Sequence, residues 1–193
     1  MNKPNAPETD FWSHAAGLAP VLIASRDLPS GIAMAGGFLL AYASALTTAL
    51  FLPRSMRGKL SFLTSCMVAV LVLTLYASLV RAIDAMLFEK LSTFLFLIPF
   101  LPPVYVAAAT QGTEANRERA WEQALMALAL AVFVAVFSVV RELVASGSLT
   151  LFGTSGGRSI LPSMAHPAGA LLTLAIGFAF ARHIRSLISR KSR

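Results

Sequence analysis

The sequence predicts an all-α polytopic membrane protein: six transmembrane helices in two inverted three-helix repeats, with the first and fourth helices broken. Three observations lead to this reading. Hydrophobic residues make up 56% of the 193-residue chain and charged residues 13%, with a mean hydropathy of +0.71, whereas a soluble domain carries roughly 25% charge. Uncharged apolar runs recur at close to the length, about 20 residues, that crosses about 30 Å of hydrocarbon. Prolines interrupt one run in each half of the chain, at corresponding places.

Residues 1–10 form a polar tail without a signal peptide's basic start, since Lys3 is offset by Glu8 and Asp10. The first apolar run, Phe11–Ser25, has fifteen residues, is short for a span and is interrupted by Pro20. Gly31–Leu52 and Leu60–Val80 are uncharged over 22 and 21 residues and read as full spans. The stretch Arg81 to Lys90 predicts an interfacial turn or short amphipathic helix, with Arg81 and Asp84 paired across one helical turn. Leu91–Thr110 is uncharged but contains Pro99, Pro102 and Pro103. Prolines there remove backbone donors and clash with preceding carbonyls, so a regular helix cannot continue through them. Such backbone persists at membrane depth only where protein or a cavity covers it.

A polar loop over 111–122, a fifth span over Gln123–Val140 and a Gly/Ser/Thr-rich loop over 146–158 follow. The sixth span covers about 163–181 and opens near His166-Pro167, proline being suited to a first helical turn. The expected organisation is one membrane domain over 11–187, with repeats over about 11–82 and 91–187, and a basic tail over 188–193. Each repeat holds three crossings, an odd number, so the two lie in opposite orientations. Inverted repeats with broken helices in matching positions place a functional site near the midplane.

Basic residues set the orientation. Eleven of the Lys and Arg lie on the face carrying the N-terminal tail, the 53–59 and 111–122 loops and the C-terminal tail, against five (Arg26, Arg81, Lys90, Arg141 and Arg158) on the other. The positive-inside rule puts the first face, and both termini, in the cytoplasm. Trp12 and Trp121 begin runs on that face, as interfacial anchors do. Small residues recur every four positions: Ala33, Gly37, Ala41, Ala45 and Ala49 in the second span, Ala127, Ala131 and Ala135 in the fifth, Gly169, Thr173, Gly177 and Ala181 in the sixth. They predict close helix packing, within the chain or against a partner.

Several function classes are excluded. A net charge of +7 and a pI near 10.3 would suggest nucleic acid in a soluble protein, but here reflect basic loops, and no helix-turn-helix, zinc-finger or RNP-like pattern is present. The single cysteine, Cys66, rules out disulfides, Cys-His zinc sites and dithiol motifs within the chain, and reads as an inert packed residue. His14, His166 and His183 are far apart, with no carboxylate at ligand spacing, so no metal site is expected. No Ser-His-Asp set appears, and Gly153 to Gly157 lacks the Lys-Ser/Thr of a phosphate loop. Arg26 and Asp27 read as solvated charges in a short outer loop. The tail from Arg182 to Arg193 is a cytoplasmic anchor that could contact anionic membrane lipid. Arg141 and Glu142 end the fifth span on the outer face. They read either as charges at an ion path or partner contact, or as an interfacial pair satisfied by loop backbone.

Three stretches resemble the membrane subunits shared by the Rnf complex and the sodium-pumping NADH:quinone reductase, most closely the RnfE/NqrD branch. They are Gly17-Leu18-Ala19-Pro20, where the family has Gly-Leu-Cys-Pro; Arg141 through Leu149 with Leu151-Phe152-Gly153; and Leu161 through Pro167-Ala168-Gly169-Ala170 into the basic tail. The resemblance implies a multi-pass subunit in the bacterial inner membrane, with other membrane subunits of an electron-transport complex as partners. It also implies a [2Fe–2S] cluster shared with a partner subunit and held by cysteines, two from each, electron transfer being coupled to sodium or proton movement. At the family's cluster positions this chain has Ala19 and, near the fourth-span motif, Tyr105. Neither is a thiolate, so the scaffold is expected without its half of the cluster. Gly17, Pro20, Arg141 and Glu142 are the site candidates. The alternatives are a small-molecule or ion transporter on the same scaffold, or a structural or assembly subunit.

Overall fold

The computed structural model describes residues 15, 17–51, 59–101, 104, 114–146, 166–177 and 179, with residues 59, 61 and 114–119 as backbone alone. Every regular element among them is helical: α1 (Ala19–Ala24), α2 (Leu28–Phe51), α3 (Lys59–Ile83), α4 (Ala85–Leu97) running into a 3-10 turn (Ile98–Phe100), α5 (Glu114–Ser146) and α6 (Pro167–Gly177). Three of them are long and apolar enough to cross a membrane, over Leu28–Phe51, Phe62–Ile83 and Ala120–Ser146, and α6 is a shorter apolar helix. Large apolar side chains stand exposed along α3 (Leu63, Met67, Leu71 and Leu75) and α5 (Leu128, Val132, Val136 and Val140). An exposed apolar surface of that extent belongs against lipid or protein rather than water.

α2 is the central element. Half of its apolar window is buried, against 28% for α3 and 33% for α5, and it packs along both. Its small-residue stripe explains this, for Ala33, Gly37, Ala41, Ala45 and Ala49 are all buried inside the chain. In α5, Ala127 and Ala131 are buried and Ala135 is half-buried. In α6 the stripe fades, with Gly169 buried but Gly177 exposed and nothing within 4 Å of a Cβ built there. A Cβ on Gly37 would lie 3.1 Å from Leu95, 3.2 Å from the Tyr76 ring and 3.3 Å from Ile98, so the bare backbone lets α3 and the end of α4 close on α2. Tyr76 crosses the same gap and donates its hydroxyl to the Ala33 carbonyl at 2.8 Å. Tyr76→Phe is expected to lower unfolding free energy in detergent by about 0.5–1.5 kcal/mol, the range for a hydrogen bond between membrane helices.

Both proline-bearing segments are broken. Ala15 and Gly17 are helical, Leu18 leaves the run at φ −87°, ψ 6°, and α1 restarts at Ala19 with Pro20 in its first turn. There proline removes only a donor that would lack a partner anyway. In the second segment α4 tightens into the 3-10 turn at Ile98, Pro99 sits in that turn, and Leu101 is extended. α1 and α4 pack on each other, and the 3-10 turn packs on α2 and α3. Leu18, Val21, Leu22, Leu95, Ile98 and Leu101 thereby share one core.

Element boundaries differ from the sequence reading in two places. Arg81 to Lys90 is not a separate interfacial element: α3 continues to Ile83 and α4 begins at Ala85. Asp84 divides them, its Oδ1 accepting the Leu87 N–H at 2.9 Å as an N-cap. Asp84 therefore does not pair with Arg81, whose guanidinium lies 5.8 Å from the Phe88 ring centroid. The polar stretch assigned to a loop over 111–122 is helical from Glu114, and the helix continues past Val140 to Ser146. Hydropathy marks where a helix meets lipid. It is blind to polar turns that continue the same helix beyond it.

Candidate functional site: a buried arginine at the broken first helix

α1 ends after only six residues; Val21 O and Ala24 O accept the Ser25 and Arg26 N–H groups, but the carbonyls of Leu22 and Ile23 need other donors. Arg141 of α5 supplies them. Its Nη1 donates to the carbonyls of Leu22 (3.0 Å), Ile23 (3.1 Å) and Ser25 (3.3 Å), and its Nη2 donates to the carbonyl of His166 at the start of α6 (3.0 Å). The Ser25 hydroxyl also donates to Leu22 O, at 3.0 Å. The whole Arg141 side chain is 1% exposed, the largest fully buried side chain among the described residues. A planar fork of five donors suits this task, because it reaches several carbonyls while each hydrogen bond is charge-assisted.

The next residue serves the other side of the break. Glu142, 4% exposed, accepts the Leu28 N–H at 2.7 Å through Oε2. Leu28 opens α2, and the remaining donors of that first turn are all accounted for. Pro29 has no N–H, Ser30 N donates to Asp27 Oδ1 at 3.0 Å, and Gly31 N donates to Asp27 O at 2.9 Å. Asp27 N in turn donates to Ser30 Oγ at 3.1 Å, giving a reciprocal cap. Both charges have the sign that the helix dipoles favour, the cation at the C-terminal end of α1 and the carboxylate at the N-terminal end of α2. Consecutive residues on α5 thus hold both ends of the 25–28 turn. Glu142→Ala leaves the Leu28 amide unsatisfied and is expected to cost about 1–3 kcal/mol. Glu142→Gln keeps an acceptor and should cost less; chemical unfolding in detergent ranks the two.

α5 comes this close because Gly31 faces Ser138, one turn below the charged pair. A Cβ at Gly31 would overlap the Ser138 side chain. Ser138 is itself buried and donates to Ala135 O at 2.7 Å.

The sequence candidates are therefore partly assembled. Gly17, Ala19 and Pro20 are half-buried on the broken first segment, and Arg141 and Glu142 are buried beside its end. Of the two readings of the charged pair, satisfaction by backbone is what the contacts display, but the backbone is that of helix ends in the core rather than of a surface loop. Asp27 is a helix cap, not a solvated charge. His166 is exposed and contributes its carbonyl to Arg141. Cys66 is half-buried on α3, beside Phe62, Met67 and Phe100 rather than near Ala19. Among the described residues no three His, Cys, Asp or Glu side chains come together as a metal could use. Tyr105, His14, Trp12, His183 and the basic tail lie outside the described residues. Sequence reasoning missed Ser30, Gly31 and Ser138. Asp27 and Ser30 carried a signal, an aspartate ahead of an apolar run with a serine three residues on; Ser138 carried none.

Apolar helices exposed to lipid, wrapped around a broken segment whose backbone is covered and satisfied from within, define a helical integral membrane protein. Residues 8–178 match the family described as Rnf-Nqr subunit, membrane protein, and the chain belongs to that family. No curated protein and no solved structure matches it.

Proposed function

We propose that the chain is an integral membrane subunit of an Rnf- or sodium-pumping NADH:quinone reductase-type ion-translocating electron-transport complex, of the RnfE/NqrD branch, without cluster ligands of its own. The observation that carries this reading is the family match over nearly the whole chain, residues 8–178. Six crossings in two inverted triplets complete the scaffold. The eleven-to-five distribution of basic residues supports cytoplasmic termini in a bacterial inner membrane.

A [2Fe–2S] cluster of the family's type takes four thiolates, two from each of two subunits. This chain has one cysteine, Cys66, on α3, and presents a methyl group at Ala19, so its donor set does not fit its share of such a cluster. Its role is then to complete the membrane part of the assembly, with a partner subunit carrying the redox group. Affinity purification of the tagged chain from its native membranes tests this. Flavin- and iron–sulfur-bearing subunits are expected to copurify. A chain that migrates alone, without redox partners, would overturn the complex-subunit reading, and stoichiometric iron on the isolated chain would overturn the loss of its ligands.

A further inference from the structure

Beside the satisfied turn lies a second, unassigned feature. Where α1, the turn into α2 and the first half of α4 meet, Ala24, Arg26, Asp27, Ser30, Lys90, Leu91 and Phe94 line a cavity of about 250 Å³. Its lining divides by chemistry. Ala24 and Leu91 are buried and Phe94 is half-buried, giving an apolar floor, while Arg26 and Lys90 are exposed. Asp27 and Ser30 are engaged with each other through three hydrogen bonds at 2.9–3.1 Å. No hydrogen bond or ion pair engages the Arg26 or Lys90 side chains among the described residues, although Arg26 is close enough to the buried Arg141 for their charges to interact.

We infer that this cavity binds a phosphodiester-type anion, with Arg26 and Lys90 as its ligands. Two cations against the single carboxylate of Asp27 leave one positive charge, which a monoanionic phosphodiester neutralises and a dianion exceeds. The two cations come from different elements to line one cavity, without a carboxylate apiece, and an anion there would meet both. The Ser30 hydroxyl and the Asp27 carboxylate are already engaged, so the available donors are the guanidinium fork and the ammonium. The apolar floor at Leu91 and Phe94 suits the glycerol and upper acyl carbons of an anionic phospholipid, whose phosphate would meet the two cations at the membrane interface. A free phosphate-type anion would use the same two cations but not the floor.

The test uses the full chain purified in mild detergent, with native mass spectrometry reading bound lipid after addition of phosphatidylglycerol or phosphatidylcholine. The expected result is one retained phosphatidylglycerol, preferred over phosphatidylcholine. Retention should fall about fivefold in Arg26→Gln or Lys90→Gln and about 25-fold in the double variant, and return in Lys90→Arg. Both residues are exposed, so thermal stability without lipid should stay at the wild-type value and separates lost binding from lost fold. A second arm titrates glycerophosphoglycerol, a soluble monoanionic phosphodiester without acyl chains. Saturable binding that needs the same two residues, without retention of phosphatidylglycerol, supports the anion site and assigns it to a free ligand. Equal retention of the two lipids together with no glycerophosphoglycerol binding, or unchanged binding of both ligands in the double variant, overturns the inference.

Discussion

Replacing Arg141 with methionine is expected to cost about 3–5 kcal/mol of unfolding free energy, the largest single effect in the molecule. The substitution leaves a side chain of similar length but removes donors from the carbonyls of Leu22, Ile23, Ser25 and His166. The first three oxygens belong to the end of a helix too short to satisfy them, and those of Leu22 and Ser25 are in buried residues, where water is a poor substitute for the lost donor. Glu142 is left as a buried carboxylate beside the break, without the neighbouring cation. Arg141→Lys should recover only part of the loss. A single ammonium carries the charge, yet it cannot present the two nitrogens that address α1 and α6 separately. Denaturant titration of the purified chain in mild detergent checks the order wild type, lysine, methionine.

The second large effect is steric. Gly31→Ala should cost about 1–3 kcal/mol, because the new methyl overlaps the Ser138 side chain and α2 and α5 must part. Ser138→Gly should cost about 1 kcal/mol alone, as glycine does in a helix interior. Combined with Gly31→Ala, however, it removes the overlap and recovers most of the loss. The expected signature is a favourable coupling of more than about 1 kcal/mol in a double-mutant cycle. Additive costs would mean that the helices do not touch at this point.

These two sites mark the limit of what the sequence conveys. Hydropathy and the four-residue spacing of Ala33, Gly37, Ala41, Ala45 and Ala49 disclosed an all-α membrane protein and its most buried face, because span length and side-chain size are local properties. Proline disclosed where the first and fourth segments break. The helix over the start of α4 is legible as a short amphipathic segment but not its continuation into the fourth run, and the start of α5 at Glu114 is not legible, since polar residues there continue a helix that apolarity alone does not mark. Asp27 reads from sequence as a solvated charge and Asp84 as the partner of Arg81, yet each stands just ahead of a helix, where a carboxylate caps. The direction of Arg141 was not legible at all. It depends on α5 passing the end of α1, more than 110 residues earlier in the chain, and on Gly31 and Ser138 allowing that approach. Family resemblance singled out Arg141 and Glu142 as a pair, but only the fold assigns one to each side of the turn.

Arg141 holds the broken first segment in place. Hydrogen–deuterium exchange on the detergent-solubilised chain tests it most directly, comparing Arg141→Met with Tyr76→Phe under conditions where both remain folded. Loss of protection confined to the end of α1, the 25–28 turn and the start of α6 in the Arg141 variant, with Tyr76→Phe leaving these amides protected, is the predicted result. Protection that falls evenly along α2, α3 and α5, or that stays unchanged near residue 25, would contradict it.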